Sequence, residues 1–225
     1  MITERRREIA ELRKVKITNY DDNNSHWRLA NSVLYDMVTK HPHHTNKNEV
    51  VSKMWIIGRT YAAAIERRPN KADTPGDFYY DYVAPKLIES DIDQRINSLR
   101  QYQTITSDNL PSILSVHKYL MDLFTALTHK EKRSLASKYL HFHLPKLFFI
   151  YDSRVASVIT KFAGKRPRRF VLPEDADKTY ADFCYKALLI YNELKNEYSD
   201  EKTRVIDNIL LRYCDEIGLS SDDEE

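Results

Sequence analysis

The stretch 134–159, SLASKYLHFHLPKLFFIYDSRVASVI, carries the densest set of chemically useful residues in the chain. Lys138 lies in a segment of helical apolar periodicity, His141 and His143 follow it, and a hydrophobic run leads to Tyr151-Asp152-Ser153-Arg154. A lysine packed against Tyr139, Leu140 and Phe142 would lose its proton more easily than one in water, and its free amine is a nucleophile. A carboxylate at Asp152 could stabilise positive charge developing beside it. The same residues also have a plain structural explanation. Asp152 suits a helix cap, while Lys138 and Arg154 suit an exposed helix face. His141 and His143, two positions apart, would point roughly 200° apart on a helix. That makes them poor joint metal ligands; support for the site, with Tyr151, or the edge of the core fits them better. No metal or cofactor is expected.

This stretch resembles the closing part of the helix-hairpin-helix base-excision DNA glycosylases. In that family a Lys-bearing helix runs into an apolar segment, and an essential Asp caps the next helix in a motif of the form Val-Asp-Thr-His-Val. Tyr151-Asp152-Ser153-Arg154-Val155 stands where that motif would be, and Lys138 where the Lys would be. The likeness covers residues 134–159 of a 225-residue chain. The chain departs from the family in three respects. Residues 125–137, TALTHKEKRSLAS, lack the hairpin glycines; Lys138 and Asp152 are closer together than the family's pair; and two Cys cannot hold an iron–sulfur cluster. The resemblance implies that a flipped nucleotide is attacked at the sugar by Lys138, with Asp152 stabilising the charge that develops there.

A second signal is the basic run Lys161, Lys165, Arg166, Arg168 and Arg169, which with Arg154 would contact a phosphate backbone. A solvated charged loop explains that run equally well. Arg59 lies in the most apolar helix, where a buried guanidinium needs an acidic or phosphate partner, and Asp152 is a candidate for it. Tyrosine, with 15 copies, is the compositional anomaly. Tyr61, Tyr79, Tyr80, Tyr82 and Tyr102 gather near Pro85, and Tyr180, Tyr185, Tyr191 and Tyr198 recur along a later helix. The leading expectation is therefore a nucleic-acid-binding protein with a glycosylase-like site that cleaves an N-glycosidic bond. The rival is a non-catalytic helical protein that binds a protein partner through Tyr-rich faces. A nuclease would need clustered carboxylates for Mg²⁺, and the pairs Asp77/Asp81 and Asp91/Asp93 read as caps and solvated faces. His41, His43 and His44 beside Pro42 read as a loop sooner than as a metal site. No HExxH, Walker sequence or GxGxxG is present.

These groups need a scaffold. With 42% apolar and 30% charged residues, the chain can bury a real core, and only 4 Gly and 8 Pro argue for helices over sheets. The expectation is an all-α, irregular bundle of about eight to ten helices with at most one short extended segment, Leu147–Tyr151. Caps are expected at Thr3, Ser25, Asn46, Thr74 (with Asp77 as the acid three residues on), Ser90, Asp108 or Asn109, Thr128, Asp152 or Ser153, and Ser199, with stops at Gly164 and Gly218. Helices should follow over 174–197 and 201–216. Pro85 should kink the helix behind Asp77. Gly58, inside a helix, implies a close neighbour on its face. The chain reads as one domain over 1–225, with a weak seam near 165–173 that would divide two lobes and an acidic tail at 219–225. With no apolar leader and no 18-residue apolar run, a soluble, cytoplasmic protein without membrane contact is expected.

Overall fold

The computed structural model describes residues 9–15, 26–67, 76–164, 172–197 and 203–219. The elements are α1 (His26–Lys40), α2 (Lys47–Thr60), a π-helical turn (Phe78–Val83), α3 (Ala84–Ile88), α4 (Ile92–Leu99), α5 (Leu110–Thr128), α6 (Arg133–His143), α7 (Ser153–Ala163), α8 (Lys178–Leu194) and α9 (Arg204–Glu216). The fold is all-α, with no strand among the described residues. No helix among them is long and apolar enough to cross a membrane. One contiguous set of buried residues runs from Ile9 to Cys214. Within it α6 packs on α1, α2 and α5, while α7, α8 and α9 pack on one another.

Local chemistry explains most boundaries. Asn46 accepts from the Asn48 and Glu49 amides, Asp77 from Tyr79 and Tyr80, and Asp152 from Arg154 and Val155. Pro85 cannot donate to the turn behind it, and the backbone there widens into the π-turn before α3. Gly164 and Gly218 end their helices at positive φ. Ile9, Leu12 and Val15 are buried; the cap expected at Thr3 lies outside the described residues. The seam is likewise outside them apart from 172–173, as is most of the acidic tail.

Several boundaries differ from expectation. Thr128 is the last residue of α5 and no cap: its hydroxyl donates to the Phe124 carbonyl, 2.7 Å away, so that α5 runs through it. α6 then starts at Arg133. Helix α8 waits for Asp177, whose carboxylate accepts from the Tyr180 amide, and α9 starts only at Arg204. Asp93 does not cap α4; it accepts from His44. Val33, an apolar residue of α1, faces solvent.

Gly58 has the close neighbour its position implied. A Cβ there would come within 3.3 Å of the Ala64 Cα, because the chain folds back over the end of α2 through Ala62 at φ 52°. That turn leaves the Tyr61 carbonyl facing inward, with no helical partner.

Candidate functional site

The extended connector 147–151 is buried over Leu147–Ile150, yet it pairs with no strand. The Leu147 and Phe148 amides donate back to the Leu144 carbonyl, and side chains satisfy several of the remaining groups. The Phe148 carbonyl accepts from His141 Nδ1 at 2.9 Å and from the Thr203 hydroxyl at 2.5 Å, and the Phe149 carbonyl accepts from the Tyr180 hydroxyl at 2.7 Å. The Tyr151 carbonyl accepts from Ser134 Oγ at 3.1 Å, while the Tyr151 amide donates to Ser137 Oγ at 2.9 Å. Ser134, Ser137 and Lys138 share one face of α6. Two of them grip the residue before Asp152, so a single helix face sets both Lys138 and the Asp152 cap.

Lys138 is not a surface lysine. It is 3% exposed, and its Nζ donates to the Tyr61 carbonyl at 3.0 Å and to Ser134 Oγ at 2.8 Å. Because Tyr61 closes α2, the ammonium sits at the negative end of that helix. Asp152 divides its work between its two oxygens. Oδ1 caps α7 and lies 3.5 Å from Arg154 Nε, whereas Oδ2 has no partner among the described residues. Arg154 also reaches Asp215 at 3.6 Å.

Two further charged residues complete the cluster, and both come from the start of α9. Arg204 is nine-tenths buried and donates to the Tyr61 hydroxyl, which itself donates to Asn31 Oδ1 at 2.6 Å. No carboxylate lies within ion-pairing distance of Arg204 among the described residues. Asp207, one turn on, is buried, and its Oδ1 has no hydrogen-bond partner. Burial pushes its carboxyl up to about 7; Asp152 adds to the rise, and the charges of Arg204, Lys138 and Arg154 oppose it. Lys138, Asp152, Arg154 and Arg204 therefore all act on one buried carboxyl. Chemically, the cluster offers a buried lysine nitrogen, a carboxylate oxygen without a partner among the described residues, and an acid that titrates near neutrality.

The other expected residues fall in different places. Arg59 is exposed: it pairs with Glu66 at 2.6 Å and lies over Trp55, one turn back on the solvent face of α2, so it is neither buried nor a partner of Asp152. His141 donates to the Phe148 carbonyl from Nδ1 and accepts from the Tyr35 hydroxyl at Nε2, 2.7 Å away, and thus anchors the connector. His143 stacks on His44. Tyr151 lies against Phe183 and lines a cavity of about 430 Å³ with Ala156, Ile159 and Lys186; Lys138 and Asp152 do not line it. Lys161, on the last turn of α7, is exposed and bonded to Glu11 at 2.9 Å and to the Tyr213 hydroxyl at 2.6 Å. Lys165, Arg166, Arg168 and Arg169 lie outside the described residues. Tyr79, Tyr139, Tyr180 and Tyr191 are buried, whereas the exposed large apolar side chains include Leu29, Val33, Trp55 and Tyr80. No group of three or more His, Cys, Asp or Glu among the described residues is arranged to hold a metal.

Sequence reading missed Tyr61 as an acceptor, Ser134 and Ser137 as clamps, and the pair Arg204/Asp207. One signal was present: two opposite charges three apart, within the otherwise apolar start of α9, belong on one buried face.

No family model matches this chain, and no curated protein or solved structure gives a significant match.

Proposed function

We propose that the chain acts on nucleic acid and that its catalytic groups are Lys138 and Asp152, in the manner of a DNA glycosylase or abasic-site lyase. The observation that carries this reading is a buried lysine, hydrogen-bonded to the Tyr61 carbonyl and Ser134 Oγ, on the same helix face that sets a cap carboxylate with one oxygen free, both positioned by Ser134 and Ser137. In the proposed reaction the Lys138 amine attacks the sugar C1′ and the bond to the base breaks. The base leaves with the electron pair and takes up a proton, and Asp152 stabilises the positive charge on the sugar. Arg154, Lys161 and the basic run at 165–169 are proposed to hold the phosphate backbone.

The test is strand nicking of a duplex carrying one abasic site, read on a denaturing gel without alkali. Wild-type protein should cleave 3′ to the site by β-elimination, and Lys138→Gln should not. Equal nicking by the variant, or none by either protein, would remove the reading. A companion titration by fluorescence anisotropy should show duplex binding that weakens with salt and drops at least tenfold when Lys165, Arg166, Arg168 and Arg169 are all Ala.

A further inference from the structure

A separate concavity of about 520 Å³ opens between the end of α1, the end of α4 and the C-terminal turn of α6. Tyr35, Val38, Pro42, Phe142 and Pro145 give it apolar and aromatic walls, and Arg100, Asn97, His43 and His143 give it polar ones. We propose that it binds a small aromatic anion, a flat ring carrying a phosphate or carboxylate. This inference does not depend on the nucleic-acid reading, and none of the groups proposed there for chemistry lines the cavity.

Three observations carry it. First, Arg100 is exposed and fixed through Nε, which donates to Asn97 Oδ1 at 3.1 Å, while its two terminal nitrogens have no partner among the described residues. A guanidinium held in plane with its fork unused fits a carboxylate or phosphate. No carboxylate lines the cavity. The neighbouring one, Asp93, has both oxygens engaged by His44, through the amide at 2.8 Å and Nδ1 at 2.6 Å.

Second, His143 forms part of the wall, is 5% exposed, and has both ring nitrogens without a hydrogen-bond partner. A buried polar group that the protein leaves unsatisfied is a cost that a ligand can offset. Burial holds its pKa well below the usual histidine value, and the charges of His44, Lys53, Arg100 and His43 act in the same direction. The ring is thus neutral, and the potential around it favours an anion.

Third, the rim is fixed. Lys53, fully buried, donates from Nζ to the His41 and His43 carbonyls at 2.8 and 3.0 Å. His44 is clamped between Asp93 and the Tyr139 hydroxyl, which donates to Nε2 at 2.8 Å. Two buried polar side chains thus hold four residues of loop. A rim rigid before binding loses little entropy when a ligand arrives. The volume falls within the range of small-molecule sites, and the Tyr35 and Phe142 rings suit a flat partner.

The experiment is saturation-transfer NMR and calorimetric titration of the whole chain with phenyl phosphate and benzoate, with inorganic phosphate and phenol as the separated halves. Phenyl phosphate or benzoate should bind more tightly than either half. Arg100→Gln should weaken that binding at least tenfold. His143→Phe should weaken it while leaving the melting temperature unchanged or raised. The proposal is overturned if neither aromatic anion binds up to millimolar concentration, if Arg100→Gln binds as well as wild type, or if inorganic phosphate alone binds as tightly as phenyl phosphate. Arg100 is exposed, so its variant should fold, and a thermal melt verifies that.

Discussion

Two buried lysines, Lys53 on α2 and Lys138 on α6, sit in different surroundings. Lys53 is spent on structure: it bonds two carbonyls of the 41–43 loop, and the nearest acid network, Asp93 with His44, is closed on itself. Lys138 bonds one carbonyl and one hydroxyl, and beside it stand a carboxylate with a free oxygen, Asp152, and a buried carboxyl with an unpartnered oxygen, Asp207. Burial is common to both lysines and separates nothing. What separates them is the neighbouring acid: Asp93 has both oxygens engaged, whereas Asp152 and Asp207 each keep an oxygen unused among the described residues, which costs stability and is retained where a ligand can use it.

The largest effect should come from Lys53. Lys53→Met leaves two loop carbonyls without their donor and should cost about 3 kcal/mol in urea unfolding, roughly twice the loss from Lys138→Met. Equal losses would erase the distinction. The pH dependence should differ in sign as well. Burial lowers the Lys53 pKa to about 8, although Asp93 and Glu49 oppose the shift. Between that value and the ordinary lysine range the unfolded chain holds the extra proton, so stability should rise with pH there, and Lys53→Met should remove that rise. Asp207 titrates near 7 when folded and near 3.8 when unfolded, so the folded chain holds the extra proton between them. Stability should fall as pH rises through that window, and Asp207→Asn should flatten the fall. A variant that loses more stability at pH 8 than at pH 4 would contradict this.

A smaller effect separates the two duties of Asp152. Asp152→Ala should cost about 1 kcal/mol by uncapping α7, and Asp152→Asn should keep the cap to within a few tenths. Both should lose abasic-site nicking. Full nicking by the Asn variant would reduce Asp152 to a cap. The smallest effect is that of Arg59→Ala, within about 0.5 kcal/mol and without change in nicking, because its guanidinium is half exposed and pairs with Glu66 above Trp55.

How much of this was legible in the sequence follows from chain distance. Helix starts written in three or four residues, at Asn46 and Asp152, and stops at Gly164 and Gly218, could be read locally, whereas the start expected from Thr74 is capped by Asp77. Thr128 could not, because its hydroxyl had a carbonyl one turn back to bond instead of an amide ahead. The Leu147–Tyr151 run was legible as a short extended segment, but its composition records burial and not the partner of its backbone. Lys138 and Asp152 lie in one continuous stretch, and that half of the site was visible. Tyr61 comes from α2 and Arg204 and Asp207 from α9, and they meet only after α2, α6 and α9 pack, so the spacing of Arg204 and Asp207 marks a shared buried face but nothing local ties it to Lys138. Arg59 was misplaced because apolar content was averaged over α2, while its own face carries Trp55 and solvent.

The contrast between the two lysines can be measured directly by borohydride trapping. The protein is incubated with a duplex bearing one abasic site and reduced, and the adduct is digested and mapped by mass spectrometry. The account predicts one covalent adduct, on Lys138, absent from Lys138→Gln and preserved in Asp207→Asn with a shifted pH profile. No adduct, or an adduct that persists in Lys138→Gln, would contradict it.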